Sequence, residues 1–260
     1  MTELDLGAEL ALAFELADAA DAVTMPRFRA YDLVVDRKAD ASEVTEADRG
    51  AEATMRALLS AARPHHAVLG EEEGLIGPPD AASRWVLDPI DGTSNFVKGV
   101  PIWATLIALQ QEGEVVVGVA SAPALGRRWW AARGRGAYAD GQRVQVSGVG
   151  TLAGAHLAHA GVGTWFEHGR GEQFVDLSRR VWRGRGLGDF WMHCLVAEGA
   201  FDVACEPIVS LWDLAALQVI VEEAGGRFTD LDGVARPDGG SAVSTNGLLH
   251  DEVLAVLAHR

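Results

Sequence analysis

The stretch that decides the fold reads Arg84-Trp85-Val86-Leu87-Asp88-Pro89-Ile90-Asp91-Gly92-Thr93-Ser94-Asn95-Phe96. The apolar run Trp85 to Leu87 predicts a buried strand that stops at two acids, separated by Pro89 and Ile90 and followed by a glycine turn. Pro89 withdraws a backbone donor and fixes one torsion, while Gly92 permits a tight turn, so Asp88, the Ile90 carbonyl and Asp91 can converge on one point. Oxygen ligands gathered in this way suit a hard divalent cation such as Mg²⁺, and the backbone N–H groups of Gly92 and Thr93 suit an anion. The stretch reads as a metal-dependent phosphate site.

A second acidic strand end lies just before it. Ala67-Val68-Leu69 predicts a short strand that runs into Gly70-Glu71-Glu72-Glu73-Gly74, and two parallel strands would bring both acidic ends to one sheet edge. Earlier still, a buried helix is expected from Asp5 to near Pro26, then a charged loop or edge strand over Asp32 to Thr45. A further helix is capped at Thr45, with Asp48 in its first turn, and runs to about Arg63. On pattern alone Asp48 is a first-turn acid favoured by the helix dipole.

After the acidic turn the chain reads as antiparallel. Thr105 to Gln110 and Val115 to Ser121 flank a hairpin signal, and Arg127 to Ala132, Gly136 to Tyr138 and Arg143 to Val146 continue the sheet, with Trp129 and Trp130 on opposite faces. Beyond the Ser147 to Gly150 connector the character changes to short apolar runs alternating with helical periodicity, as in a helix-covered sheet. Strands are expected at 155–160, 201–205, 227–229 and 241–244, and helices at 172–181, 189–198, 212–224 and 249–259. Ser210 is a plausible cap for the third of these helices, with Asp213 in its first turn. We therefore expect a single module over 1–260, with an antiparallel α+β half (1–147) carrying the metal motifs and an α/β half (148–260) completing the site.

The 260 residues are 48 % hydrophobic, enough for a substantial core. A formal charge of -15 disfavours nucleic acid as a partner. No run approaches the length of a membrane span and the acidic start is unlike a signal peptide, so a cytoplasmic protein is expected. Cys194 and Cys205 stand in apolar surroundings at no metal-binding spacing and read as packing residues.

Taken together, Gly70-Glu71-Glu72, Asp88-Pro89-Ile90-Asp91-Gly92-Thr93-Ser94-Asn95-Phe96 and Trp212-Asp213-Leu214-Ala215-Ala216 resemble the inositol-monophosphatase-like family of Mg²⁺-dependent phosphatases. The likeness extends from Val44-Thr45-Glu46-Ala47-Asp48 to Thr245-Asn246-Gly247. Within the family the chain is most similar to the histidinol-phosphate phosphatase branch, through residues 121–134, Gly188-Asp189-Phe190 and Ala197-Glu198-Gly199 leading to Cys205-Glu206-Pro207. The resemblance implies an α+β fold, a layered αβαβα sandwich, and hydrolysis of L-histidinol phosphate by a metal-activated water. It implies metal ligation by Glu71, Asp88, the Ile90 carbonyl, Asp91 and Asp213, for two to three Mg²⁺ ions with Asp88 bridging. Thr93 and Asp48, assisted by Glu71, would handle the nucleophilic water, which replaces the dipole reading of Asp48.

By the same resemblance Gly92, Thr93 and Ser94 would seat the phosphate, Lys38 would steady the loop bearing the third metal, and Asp189 and Glu206 would face the cationic leaving group. Arg185 and Asn95 would line the pocket. Asp189 also has a plainer reading as a helix N-cap, and Glu206 as a partner for a hydroxyl. An inositol-1-phosphate or broader sugar-phosphate phosphatase would use the same machinery, and a non-catalytic metal-dependent binding protein is the reading of another class. The family likeness suggests a homodimer acting on a small phosphomonoester.

Overall fold

The computed structural model describes residues 4–39, 42–78 and 80–258. Asp40, Ala41 and His259, which fall within segments assigned above, lie outside the described residues. The elements in chain order are α1 (Leu6–Thr24), β1 (Val35–Arg37), β2 (Glu43–Thr45), α2 (Glu46–Ala62), β3 (Ala67–Gly70), β4 (Gly74–Ile76), β5 (Ser83–Asp91), α3 (Thr93–Lys98), β6 (Ala104–Gln111), β7 (Glu114–Ala122), β8 (Arg127–Ala132), β9 (Ala137–Ala139) and β10 (Gln142–Val144). After the connector come β11 (His156–His159), α4 (Val162–Glu167), α5 (Gly171–Arg180), β12 (Arg183–Gly186), α6 (Asp189–Ala197), β13 (Val203–Glu206), α7 (Leu211–Glu223), β14 (Arg227–Thr229), β15 (Ala242–Thr245) and α8 (His250–Leu257).

An eight-stranded sheet runs β10-β9-β8-β7-β6-β5-β3-β4, and a five-stranded sheet runs β12-β11-β13-β15-β14. On the outer face of the larger sheet, Leu16, Met55 and Leu59 from α1 and α2 pack against Trp85, Leu87, Ile107 and Val119. Its inner face carries Val86, Leu106 and Trp129 against Phe190 of α6 and Leu214, Leu217 and Val221 of α7. Helix α6 reaches the smaller sheet through Met192 and Val196 against Ala158 and Ala204. That sheet's far side is covered by Phe174 and Leu177 of α5 and Val253 and Leu257 of α8. The order of layers is α, β, α, β, α, the expected sandwich.

The adjacent tryptophans divide between faces, as alternation along a strand requires. Trp129 packs edge-on against Phe190, whereas Trp130 meets Phe14 edge-on and stacks on Tyr138. Strands β3 and β5 are parallel, pairing Leu69 with Val86 and Gly70 with Leu87, so their two acidic ends do share an edge. One expectation needs correcting. The strand does not stop before the acids but continues to Asp91, where pairing with β6 passes from Asp88↔Leu106 to Asp91↔Ala104 through an irregularity. Pro89 lacks the ladder donor, and its free carbonyl accepts a 2.8 Å bond from Thr105 Oγ1, which keeps the strand in place across the break. The pattern also gave no warning of β4, α3, α4 or β12, all of them short.

Helix α7 lies close against β7. A Cβ built on Gly118 would stand 2.5 Å from the Ala216 carbonyl and 2.6 Å from Val219 Cγ1. Gly118→Ala is expected to lower unfolding free energy by about 1–3 kcal/mol through overpacking. Urea unfolding checks this; an unchanged midpoint would show that the layers yield without cost.

Candidate active site

Strand β5, the first turns of α2, α6 and α7 and the end of β13 deliver six acids to one region between the layers. Asp88, Asp91 and Asp213 form its centre, each offering a carboxylate oxygen within 4.8 Å of the other two. Asp88 and Asp91 are buried. Each is aimed by a backbone N–H: Ile90 N donates to Asp88 Oδ1 at 3.0 Å, Phe190 N to Asp91 Oδ2 at 2.6 Å, and Ser210 N to Asp213 Oδ2 at 2.9 Å. The last bond belongs to a capping box at the start of α7, so the expected cap at Ser210 also orients a site residue.

Among the described residues no lysine or arginine forms an ion pair with Asp88, Asp91, Asp189 or Asp213. Their protonation equilibria register this. Burial, and then the charges of Glu71, Asp213 and Asp91, pushes the Asp88 carboxyl well above the usual range. Burial and the charges of Asp189 and Asp213 do the same to Asp91. Burial lifts Asp213 to about 7 against the bonds from Ser210 and Asp88. Buried carboxylates without a protein counter-cation either hold protons or hold a metal, and three oxygen donors at this separation fit a hard divalent ion.

Glu71 stands beside this trio rather than within it. Its Oε1 accepts from Lys38 Nζ at 2.7 Å, and the same ammonium reaches Glu72 Oε1 at 2.7 Å. Burial alone would lower the Lys38 pKa; the bonds to Glu71 and Glu72 outweigh it. The Glu71 loop is braced from behind by buried Glu52, whose carboxylate accepts from Glu72 N at 2.9 Å and Glu73 N at 3.0 Å and pairs with Arg56 at 2.8 Å.

Asp48 serves two neighbours. Its Oδ2 takes the Thr45 backbone N–H at 2.8 Å in a capping box, while Oδ1 lies 3.2 Å from Thr93 Oγ1. The dipole reading and the reading as partner of Thr93 are thus both realised, one on each oxygen. Burial raises the Asp48 pKa despite the Thr45 bonds. Thr93 Oγ1 is also 3.0 Å from the Ile90 carbonyl, so its single proton can serve either acceptor. Gly92, at φ 85°, precedes α3 without a capping side chain. A Cβ there would meet the Ile102 carbonyl at 3.0 Å and Asp189 Oδ2 at 3.3 Å. Ser94 is exposed.

Asp189, Glu206, Asp91 and Asp213 line a cavity of about 200 Å³ with Phe190, Ile208 and Val209. Asp189 is not an N-cap: it is the first residue of α6, Gly188 precedes it, and no side chain caps the helix. It holds φ 50°, costly for a residue with a Cβ, and its Oδ2 accepts from Asn95 Nδ2 at 2.8 Å. Burial and the Glu206 charge lift its pKa to about 6. Arg185 is placed apart from this group. It is exposed on edge strand β12, and its guanidinium donates to the Gly184 carbonyl at 2.8 Å. Sequence reasoning overlooked His193, which is fully buried and lies 3.0 Å from Glu206 Oε1 through Nε2. The available signal was its position four residues after Asp189, on the same helical face.

The likeness to known proteins agrees with this geometry. The inositol monophosphatase family model matches residues 6–259. The chain is 56 % identical to the histidinol-phosphatase of Mycobacterium tuberculosis, over 96 % of this chain and 97 % of that protein. It is 52 % identical to the histidinol-phosphatase of Streptomyces coelicolor, over 97 % of each. A solved inositol monophosphatase from Zymomonas mobilis superposes with a TM-score of 0.87 at 32 % identity, covering 98 % of this chain and 99 % of that one. The chain belongs to the inositol monophosphatase family and is a phosphoric monoester hydrolase.

Proposed function

We propose that this phosphatase hydrolyses L-histidinol phosphate to L-histidinol and phosphate, with Mg²⁺ held by Asp88, Asp91 and Asp213, joined by the Ile90 carbonyl and Glu71. The observation that carries the substrate is the second pair of acids. Asp189 and Glu206 line the cavity beside the carboxylate trio, where a leaving group bearing a positive charge would lie. The histidinol-phosphatases at 56 % and 52 % identity support the same substrate. The Zymomonas relative supports an inositol phosphate as the second reading.

When bound by these residues, Mg²⁺ would supply positive charge to the phosphoryl group and its leaving oxygen. The chain's own residues then divide the work. Backbone N–H groups of Gly92, Thr93 and Ser94, free of any capping side chain, seat the phosphate. Thr93 Oγ1 passes its proton toward Asp48 Oδ1 and accepts a hydrogen bond from the attacking water, which it orients. Asp48 is the base of this relay, and its raised pKa makes it a stronger acceptor than a surface carboxylate. Glu71, restrained by Lys38, stands on the same side and assists. Asn95 holds Asp189 toward the leaving group. Residues on both sides of the connector take part, so we read 1–260 as one phosphatase module of halves 1–147 and 148–260, acting in the cytoplasm as a homodimer. No helix among the described residues is long and apolar enough to cross a membrane.

Asp88→Asn is expected to reduce Mg²⁺-dependent turnover by about 10²- to 10³-fold or more with an unchanged circular dichroism spectrum. Near-normal turnover would remove Asp88 from the centre of the site. On substrates, a charged hydrogen bond in a water-poor pocket contributes about 1.5–3 kcal/mol, so kcat/KM for histidinol phosphate should exceed that for inositol 1-phosphate by about 10- to 150-fold. A reversed ratio selects the inositol reading. Absence of Mg²⁺-dependent phosphate release from every phosphomonoester tried selects a metal-dependent binding protein.

Stability should carry the sign of the carboxylate shifts. Folded-state values of about 6 for Asp189 and about 7 for Asp213 lie above their unfolded values near 4, so the folded chain binds more protons across that window. Chelator-treated protein should lose stability as pH rises from about 4 through about 7. Added Mg²⁺ should raise Tm more at pH 8 than at pH 5.5, because it replaces those protons. Thermal scans at both pH values check this, and an equal gain would show that the carboxylates are already ionised in the metal-free protein.

A further inference from the structure

We propose that His193 is a positioning residue that fixes the aim of Glu206, and through it the preference for a cationic leaving group. This rests on the reading of Glu206 as a partner of that group. The geometry begins in the smaller sheet. Strands β13 and β15 are antiparallel, with Ala204 opposite Ser244 and Glu206 opposite Ala242. Side chains directly opposite each other share a face, and so do residues two apart, which sets Glu206 and Ser244 on the face that carries Ala204. Helix α6 covers that face through Met192 and Val196. His193 descends from the same helix, fully buried, and bridges the two polar side chains: Nε2 is 3.0 Å from Glu206 Oε1 and Nδ1 is 2.6 Å from Ser244 Oγ. Its ring also lies against Phe228, centroids 6.1 Å apart.

The chemistry of the partners orders this chain. An ionised carboxylate only accepts hydrogen bonds, so the nitrogen facing Glu206 carries the proton. In a neutral imidazole Nδ1 is then the acceptor, and the only donor before it is the Ser244 hydroxyl, which can turn to supply its proton. The bonds run from Ser244 to His193 to Glu206 in one direction. The relay holds Glu206 with a hydrogen bond at Nε2 and anchors the ring at Ser244. It occupies Oε1 alone: among the described residues Oε2 receives no hydrogen bond, and Glu206 lines the cavity that it shares with Asp189.

The two acids facing the leaving group are held independently. Asn95, from the far side of the site, fixes Asp189 at 2.8 Å, and His193, from the covering helix, fixes Glu206. Loss of the imidazole would leave a carboxylate free to turn among rotamers. The loss should fall on substrate binding rather than on the chemical step.

The test compares wild type, His193→Phe, His193→Gln and Glu206→Gln with Mg²⁺ on histidinol phosphate and on neutral inositol 1-phosphate, with Tm measured for each. His193→Phe fills the space without either hydrogen bond. It is expected to raise KM for histidinol phosphate about tenfold with kcat within about twofold, which moves the ratio of kcat/KM for the two substrates toward that of Glu206→Gln. His193→Gln, which offers both a donor and an acceptor, should recover most of the ratio. Equal losses on both substrates would make His193 merely structural and overturn the proposal. A wild-type ratio in His193→Phe, with the ratio lost in Glu206→Gln, would overturn it while leaving the role of Glu206 intact. A wild-type ratio in Glu206→Gln would overturn the underlying reading and the proposal with it. If His193→Phe does not fold, Ser244→Ala takes its place. It should lower the ratio about threefold by freeing the tautomer, and an unchanged ratio counts against the proposal.

Discussion

The mutual repulsion of Asp88, Asp91 and Asp213 is the constraint on which the rest of the structure depends. At an effective dielectric near 20, two unit charges about 4 Å apart repel by about 4 kcal/mol, and burial adds a desolvation cost for each. Among the described residues no lysine or arginine pairs with them to offset it. The fold instead gives each acid a backbone N–H. Ile90 serves Asp88, Phe190 serves Asp91, Ser210 serves Asp213 and, one layer out, Thr45 serves Asp48. All four donors come from the break in β5 or from the start of a helix, where N–H groups lack regular partners. Such bonds fix direction while neutralising only part of the charge, and the remainder is what would attract the proposed divalent ion.

This accounts for the layering. Acids on one strand can repel each other apart unless something crosses to meet them, and the middle layer does so. Helices α6 and α7 lie between the two sheets and turn their first residues toward the end of β5. There, Phe190 N–H and Asp213 arrive at the acids through the same starts that pack Phe190 and Leu214 into the core. Gly118 allows α7 to approach β7, so the placing of Asp213 depends on packing one turn further along the same helix.

Much of this was legible in sequence because it is local. The acidic strand ends, the glycine turn, the Ser210 cap and the opposed tryptophans each follow from spacings of one to four residues. Asp48 shows the limit of local reading: capping acid and partner for Thr93 compete as readings of the sequence, yet a carboxylate has two oxygens and the structure uses both. The strand end was misjudged because proline signals the loss of one donor, not of the strand, and Thr105 on β6 supplies the compensating bond from 16 residues away. Glu71 was grouped with the trio by resemblance; the partner it has here, Lys38, lies on the other side of α2 in sequence. His193 reads as one more residue in an apolar helix until β13 and β15 are paired.

Two kinds of acid therefore meet in one cavity and are held by different means. Those of the trio are aimed by backbone donors, which mutation of side chains cannot remove, as befits the groups proposed to hold the metal. Asp189 and Glu206 are aimed by side chains, Asn95 and His193, and Asp189 bears the added strain of φ 50°. A backbone-held acid changes only if the fold changes, whereas an acid held by a side chain can be redirected by a single substitution. On the function proposed above, the chemistry rests on acids held by the backbone and the choice of leaving group on acids held by side chains. Within such a fold, substrate preference can shift without rebuilding the centre that cleaves the phosphate.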